Sequence, residues 1–253
     1  MRPRGLITPL ATVAVASLVI TACSSGKKSH GPTTPPPGSG SSVSASPDVT
    51  AFVNRVFAAV GATQSFHVVG SGKDQNMPYS LDVHFGADGG SGFFTQGGAR
   101  FDLAGHGNDT YVKTTAANWK ATIGNKSNAE QLATRLAPHW VRVPTSQPDF
   151  AQLLDYVNKD HFVQSYKTSA ASQSGPFTKG GAATVSGTAA TVYTDSKDGS
   201  KIFVAASGAP LLLKVESAPG DGGGGLTITD YNKPFSPAVP PSSDVVDYTS
   251  VVK

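Results

Sequence analysis

The residues of this chain that could do chemistry are few and scattered. Its six histidines show neither the H-x-H nor the H-E-x-x-H spacing of metal sites, and Cys23 is the only cysteine. Asp82 and His84 share one face of a predicted strand and could pair with Asp102 on a neighbouring strand. Such pairs are common on solvated sheet faces. We therefore predict no bound metal and no cofactor.

A catalytic serine also lacks its usual setting. The stretch Gly89-Gly90-Ser91-Gly92-Phe93 lacks the final glycine of the G-x-S-x-G nucleophile elbow and lies between two short predicted strands, with no helix after it. The acidic residues are dispersed, so no pair of carboxylates for acid–base catalysis is visible along the chain. We expect a protein that is not an enzyme.

Cys23 is the one residue whose surroundings point to a specific modification. Arg2 and Arg4 precede an apolar run from Leu6 to Ile20, and small residues separate that run from the cysteine. A run of about fifteen residues is short for a hydrocarbon core that requires about twenty, and Pro9 further disfavours a spanning helix. The order of these features is typical of a signal peptide that is cleaved before Cys23.

The stretch Ile20-Thr21-Ala22-Cys23 resembles the lipobox of bacterial lipoproteins. The resemblance implies that residues 1–22 are removed, that the thiol of Cys23 carries a diacylglyceryl group, and that the protein is held at the extracytoplasmic side of the cell membrane. Inner and outer membrane destinations both stay open. The weight of Ala, Gly, Ser, Thr and Pro is typical of a high-GC bacterium such as an actinobacterium.

Composition limits the kinds of partner that the processed chain could bind. The formal net charge of +3 falls to +1 when Arg2 and Arg4 leave with the signal, which gives no electrostatic basis for nucleic-acid binding. A single cysteine excludes an internal disulfide, so burial and hydrogen bonds must stabilise the fold.

Residues 23–46 form a Ser/Pro/Gly-rich linker, which we predict to be a disordered tether to the membrane. A single domain of residues 47–253 follows. Its first element is an amphipathic helix over residues 47–61, because Pro47 suits a first helical position and apolar residues then repeat with helical spacing up to Gly61.

Most of the remaining chain shows the period of two that strands require. A first meander runs from Phe66 to Ile123 and ends with a strand at Trp119–Ile123. Two central helices are predicted at residues 128–137 and 147–157, with an extended piece at residues 139–143 between them. A second meander of four strands covers residues 183–194, 201–206, 210–217 and 226–231, and a Pro-rich tail from Pro234 crosses the surface.

This order of elements resembles the LolA/LppX/LprG type of exported lipid-carrier lipoproteins. The resemblance covers about residues 47–247 and includes the hairpin of residues 198–215, whose two strands flank the turn Ser207-Gly208-Ala209-Pro210. It implies an α+β fold in which a strongly curved, incompletely closed antiparallel sheet, a half-barrel, is plugged by the N-terminal helix and the two central helices. It also implies an apolar cavity for acyl chains.

Two functions follow from these observations. The first is an anchored lipoprotein that binds or carries a lipid or another amphiphile in an apolar cavity. The second is a cell-envelope binding or scaffold lipoprotein with a filled core and an exposed apolar patch for a protein partner. For the first, the candidate cavity residues are the following apolar side chains: Phe52, Phe57, Leu81, Phe85, Trp119 and Trp140. The ligand, the partner and the oligomeric state stay open.

Overall fold

The computed structural model describes residues 49–74, 76–124, 126–219 and 223–252. The predicted signal peptide, Cys23, the predicted linker and the predicted helix start at Pro47 lie outside these ranges. None of the helices in the described part is both long and apolar enough to cross a membrane.

The described strands form one twelve-stranded sheet. In chain order they are β1 (Phe66–Asp74), β2 (Met77–Gly86), β3 (Gly89–Gln96), β4 (Ala99–His106), β5 (Asp109–Lys113), β6 (Trp140–Arg142), β7 (Phe177–Val185), β8 (Thr188–Asp195), β9 (Lys201–Ala205), β10 (Leu212–Glu216), β11 (Gly225–Thr229) and β12 (Val245–Asp247). The spatial order is β12-β6-β5-β4-β3-β2-β1-β11-β10-β9-β8-β7. Neighbours are antiparallel except β6 and β12, which are parallel.

Helices cover one face of this sheet. They are α1 (Val49–Gly61), α2 (Ala116–Ile123), α3 (Ala129–Leu136), α4 (Pro148–Ala151), α5 (Leu154–Val157), α6 (Lys159–Gln173) and α7 (Tyr248–Val251), and a 3-10 turn spans Ser242–Asp244. Within the described strands, β12 and β7 are the two edges and do not pair with each other. The predicted α+β class, with a curved and unclosed sheet around helices, is confirmed.

The core lies between the sheet and the helices. Alternate residues of β1 and β2 face it, among them Phe66, Leu81 and Phe85, each at most 1% exposed. Strand alternation places His67, Asp82 and their neighbours on the opposite, outer face. The tail beyond β11 crosses that outer face, as predicted, since the ring of Phe235 stacks on His84.

The helical layer is larger than the sequence predicted. The predicted strand at Trp119–Ile123 is wrong, because these residues belong to α2, whose N-cap Thr115 accepts a hydrogen bond from the Asn118 N–H at 3.3 Å. The predicted second central helix is divided into α4 and α5. The long helix α6 was not predicted, and Lys159 at its start donates hydrogen bonds to the carbonyls of Gly61 and Thr63, which join it to the end of α1.

The second meander has five strands instead of four. The predicted strand at residues 183–194 contains a tight turn in which Ser186 and Gly187 both have positive φ, +47° and +82°. Two successive positive φ values are typical of the two-residue hairpin turn that joins antiparallel strands. The chain therefore reverses between β7 and β8.

Candidate functional site

A cavity of about 130 Å³ lies between the helices and one half of the sheet. Helices α1 and α6 form one wall, and strands β9, β10 and β11 form the other. The apolar residues that line it are Phe52, Val53, Val56 and Phe57 of α1, Phe162 and Ala170 of α6, and Phe177, Ile202, Leu212, Val215, Leu226 and Ile228 of the sheet.

The size of this cavity limits what can occupy it. An apolar protein cavity of about 150 Å³ stays dry and holds one benzene molecule. A space of about 130 Å³ therefore suits a slender apolar group, such as part of one alkyl chain, and excludes a bulky multi-chain lipid without movement of the walls.

Polar side chains gather at one end of the cavity. Glu216 of β10 lies opposite Lys201 of β9 in the strand register, so the end of β10 lies beside the start of β9. The half-buried polar lining residues of this region are Gln173, Ser174, Asp198, Ser200, Glu216 and Ser217. We call these six residues the polar rim.

Asp195 links two segments that carry residues of the polar rim. Its buried carboxylate accepts hydrogen bonds from the backbone N–H of Gly175 at 3.0 Å and of Lys197 at 2.8 Å. Gly175 follows the end of α6, and Lys197 belongs to the turn that carries Asp198. The end of the helix and the turn are thereby fixed to each other.

Tyr166, one of the residues that line the cavity, carries an unused hydrogen-bond donor. Its ring packs on Phe162, with ring centroids 4.5 Å apart, and its hydroxyl is buried without a hydrogen-bond partner among the described residues. Burial raises the pKa of this hydroxyl far above its ordinary range, so it stays protonated. A ligand oxygen beside it would receive a hydrogen bond.

The neighbouring Ser165 is already engaged. Its hydroxyl donates to the Asp155 carboxylate at 3.0 Å. Burial raises the pKa of Asp155, and the hydrogen bond from Ser165 and the charge of His161 oppose that rise. Ser165 thus gives a hydrogen bond to a half-buried carboxylate, whereas the hydroxyl of the lining residue Tyr166 makes no hydrogen bond with the described residues.

The structure separates the six cavity residues proposed from the sequence. Phe52 and Phe57 line the cavity. Leu81 and Phe85, in contrast, point into the filled part of the core beside it, where the ring of Phe85 packs on Phe66 and Phe162 at 5.0 and 4.9 Å.

The two tryptophans lie away from the cavity lining. Trp119 belongs to α2 and packs on Tyr248, with ring centroids 6.1 Å apart. Trp140 lies in β6, at the far side of the sheet from β9 to β11. Large aromatic residues are usually core, and residue type alone does not say which part of a core is left unfilled.

Sequence reasoning missed Tyr166 and the other lining residues of α6. The helix is mostly polar, so its apolar period is weak. Two local features could have revealed it: Phe162, Tyr166 and Ala170 recur at four-residue spacing, and Asn158 caps the helix by accepting hydrogen bonds from the N–H groups of Asp160 and His161, each at 3.0 Å.

Asp82 and His84 do not pair with Asp102, an arrangement that the sequence allowed but did not favour. Asp102 instead accepts hydrogen bonds from Arg100 on its own strand, the shorter at 2.7 Å. An oxygen of Asp82 lies 2.8 Å from Nε2 of His67, which the sequence did not connect with it. The register of β1 and β2 brings these two side chains to the same outer face.

Comparison with known proteins gives a likeness of fold. No known family and no curated protein matches this sequence. Among solved structures, the chain is similar to the lipoprotein LppX of Mycobacterium tuberculosis, with 16% identity and a TM-score of 0.42 over 74% of this chain and 97% of that one. It is also similar to LprF of Mycobacterium bovis, with 14% identity and a TM-score of 0.48 over 78% and 99%.

A third similar structure is an uncharacterised conserved protein of Thermus thermophilus, with 9% identity and a TM-score of 0.35 over 78% of this chain and 97% of that one. LppX is a lipoprotein of the type that the sequence resembles. At these identities and scores the likeness concerns the course of the chain, and no ligand follows from it.

Proposed function

We propose that this protein is a membrane-anchored extracytoplasmic lipoprotein that binds a lipid or another amphiphile, with an alkyl chain in the cavity and a polar group near Tyr166 or the polar rim. The observation that carries the proposal is an apolar cavity whose lining includes Tyr166, a residue with a buried hydroxyl that has no partner among the described residues. A purely apolar ligand would leave that hydroxyl without a hydrogen bond, whereas an amphiphile can fill the apolar space with its alkyl chain and accept the hydrogen bond with its polar group.

Burial of an alkyl chain supplies the binding energy. Each methylene removed from water contributes about 0.8 kcal/mol, so six methylenes contribute roughly 5 kcal/mol before the cost of ordering the ligand. The polar rim offers hydrogen-bond donors and acceptors for a headgroup.

The residues that line the cavity favour binding over catalysis. Serines are present, but the described lining includes no histidine that could act as their base. The scaffold alternative requires a broad exposed apolar patch. On the described surface, the exposed large hydrophobic side chains are Val69, Met77 and Val239. The cavity is therefore the stronger basis for a function.

Lipidation of Cys23 is the anchoring part of the proposal. With the natural signal, we expect the protein in the membrane fraction and a mass increase equal to a diacylglyceryl group at the N-terminal cysteine. Cys23→Ser should abolish both. A Cys23→Ser protein that stays in the membrane fraction would refute this mode of attachment.

The test of ligand binding is native mass spectrometry on a chain that begins at residue 23, carries Cys23→Ser and is exported through a cleavable signal in an actinobacterial host. The substitution matters because the acylated cysteine would itself bring lipid. We expect discrete adducts of lipid mass, and uptake of added palmitate after the natural ligand has been extracted.

Two tryptophan variants on α6 make the test specific. Ala170→Trp places a large ring in the cavity and should remove the adducts, whereas Thr168→Trp, exposed on the same helix and outside the lining, should keep them. A folded wild-type chain with no adduct and no palmitate uptake would refute lipid binding. Equal adducts in both variants would refute this cavity as the site.

A further inference from the structure

Two histidines and an aspartate meet on the outer face of the sheet. His67 of β1 and His84 of β2 are direct cross-strand partners, and their rings stack with centroids 3.6 Å apart and planes 5° from parallel. Asp82 lies two residues before His84 on the same face, with Oδ1 2.8 Å from Nε2 of His67. Each of the three offers a donor atom, and all three atoms lie within 4.8 Å of one another.

We propose that His67, Asp82 and His84 form a binding site for a divalent transition-metal ion, with Zn²⁺ as the best-suited ion. Imidazole nitrogen and carboxylate oxygen are ligands that Zn²⁺ accepts, and imidazole also suits Cu²⁺ and Ni²⁺. The site lies on the outer face of the sheet, opposite the helices that line the cavity. Metal binding at this site would therefore be a function separate from lipid binding.

Small side-chain movements are enough to form this site. Tetrahedral zinc ligands at about 2.1 Å from the metal stand about 3.4 Å from one another. The His67 nitrogen and the Asp82 oxygen, now 2.8 Å apart, would separate slightly as the metal replaces the proton between them. The two rings would turn out of their parallel stack so that their nitrogen lone pairs converge.

Partial exposure permits these movements. The side chains of His67 and Asp82 are 17% and 42% exposed. Asp82 also lines an open depression on the same face, beside Val69 and Phe93. An ion would reach the three donors through that depression, and water would complete its coordination there.

Asp230 is placed to support the metal-bound form of His67. Its carboxylate lies 3.9 Å from Nδ1 of His67, the ring nitrogen on the side away from Asp82, and it is held by Lys233 at 2.6 Å. Metal-bound histidines commonly donate their second N–H to a carboxylate, which fixes the tautomer and the ring orientation. Asp230 is thus a positioning residue rather than a ligand.

The first experiment is calorimetric titration of ZnCl₂ into the metal-stripped chain that begins at residue 23 with Cys23→Ser. We expect saturable one-to-one binding. His84→Gln and Asp82→Asn should weaken it by at least about tenfold, and Asp230→Asn by about 10- to 100-fold. His106→Gln, on an exposed histidine at the end of β4, should leave the affinity unchanged.

Electron paramagnetic resonance of the Cu²⁺-loaded chain identifies the ligands directly. The wild-type chain should show coupling to two imidazole nitrogens, and His67→Gln or His84→Gln should each show one. Circular dichroism establishes that each variant is folded. If His67→Gln fails to fold, the half-exposed His84 and Asp82 variants still decide the question. Absence of saturable Zn²⁺ binding, or binding that survives both His84→Gln and Asp82→Asn, would overturn the proposal.

Discussion

Replacement of Tyr166 by phenylalanine tests the description of the cavity. The Tyr166 hydroxyl is buried and has no partner among the described residues, while its ring packs on Phe162. A buried hydroxyl without a hydrogen bond costs about 1–3 kcal/mol. Tyr166→Phe removes that cost and keeps the ring contact, so we expect the ligand-free protein to gain about 1 kcal/mol or more in its free energy of unfolding.

Tyr231 is the matched control because its hydroxyl has the opposite situation. It donates a hydrogen bond to the carbonyl of Leu212, and burial raises its pKa well above the ordinary range. Tyr231→Phe removes the donor and leaves the carbonyl behind, so we expect a loss of about 1 kcal/mol. The same chemical change should therefore have opposite signs at the two positions.

The assay is urea unfolding of the lipid-extracted Cys23→Ser chain, followed by tryptophan fluorescence. The midpoint should shift upward for Tyr166→Phe and downward for Tyr231→Phe, with an unchanged slope. Palmitate affinity should fall in Tyr166→Phe if the hydroxyl donates to the ligand. If Tyr166→Phe destabilises the ligand-free protein as Tyr231→Phe does, the hydroxyl has a partner, and the reasoning about the cavity is refuted.

Two further variants test the packing of α5 on β4 and the electrostatics of Asp155, which is hydrogen-bonded to the lining residue Ser165. A Cβ added at Gly105 of β4 would lie 2.7 Å from the Cβ of Val157 in α5, so Gly105→Ala should lower the free energy of unfolding by about 1–3 kcal/mol. Gly181→Ala, with open space around it, should leave the free energy of unfolding unchanged. Equal urea midpoints for the two variants would contradict the close approach at Gly105. Burial raises the pKa of Asp155, so the stability that the protein has with this acid protonated is lost as the pH rises from the ordinary carboxyl pKa through the folded value. In thermal unfolding, Asp155→Asn should therefore stabilise the protein more at pH 7 than at pH 3. A larger gain at pH 3 would contradict the direction of the pKa shift.

Local patterns predicted the elements whose burial is one-sided. Helix α1 has apolar residues at helical spacing and ends at Gly61 as expected. Strand β2 alternates between buried Leu81, Val83 and Phe85 and their half-buried neighbours. In both cases one face is covered and the other is wet, so the period of the element appears directly in the sequence.

The same reasoning failed where local pattern and packing diverge. The short run at Trp119–Ile123 predicts a strand that continues the meander, yet the Thr115 cap begins a helix there. Helix α6 escaped prediction because few of its residues are buried. Its stability comes from contacts with α1 and from its cap, and the former are distant in sequence.

The amino-acid sequence by itself predicted an export signal and a lipidation motif at Cys23, and it indicated the α+β class and the order of most elements, since each depends on neighbouring residues or on a short period. Only the tertiary structure decided which aromatic residues border empty space, which hydroxyl lacks a partner, and that His67 meets Asp82 and His84. Cavity volume depends on how surfaces from several elements fail to fill a common space, and the histidine cluster depends on strand register. Both are relations between distant parts of the chain.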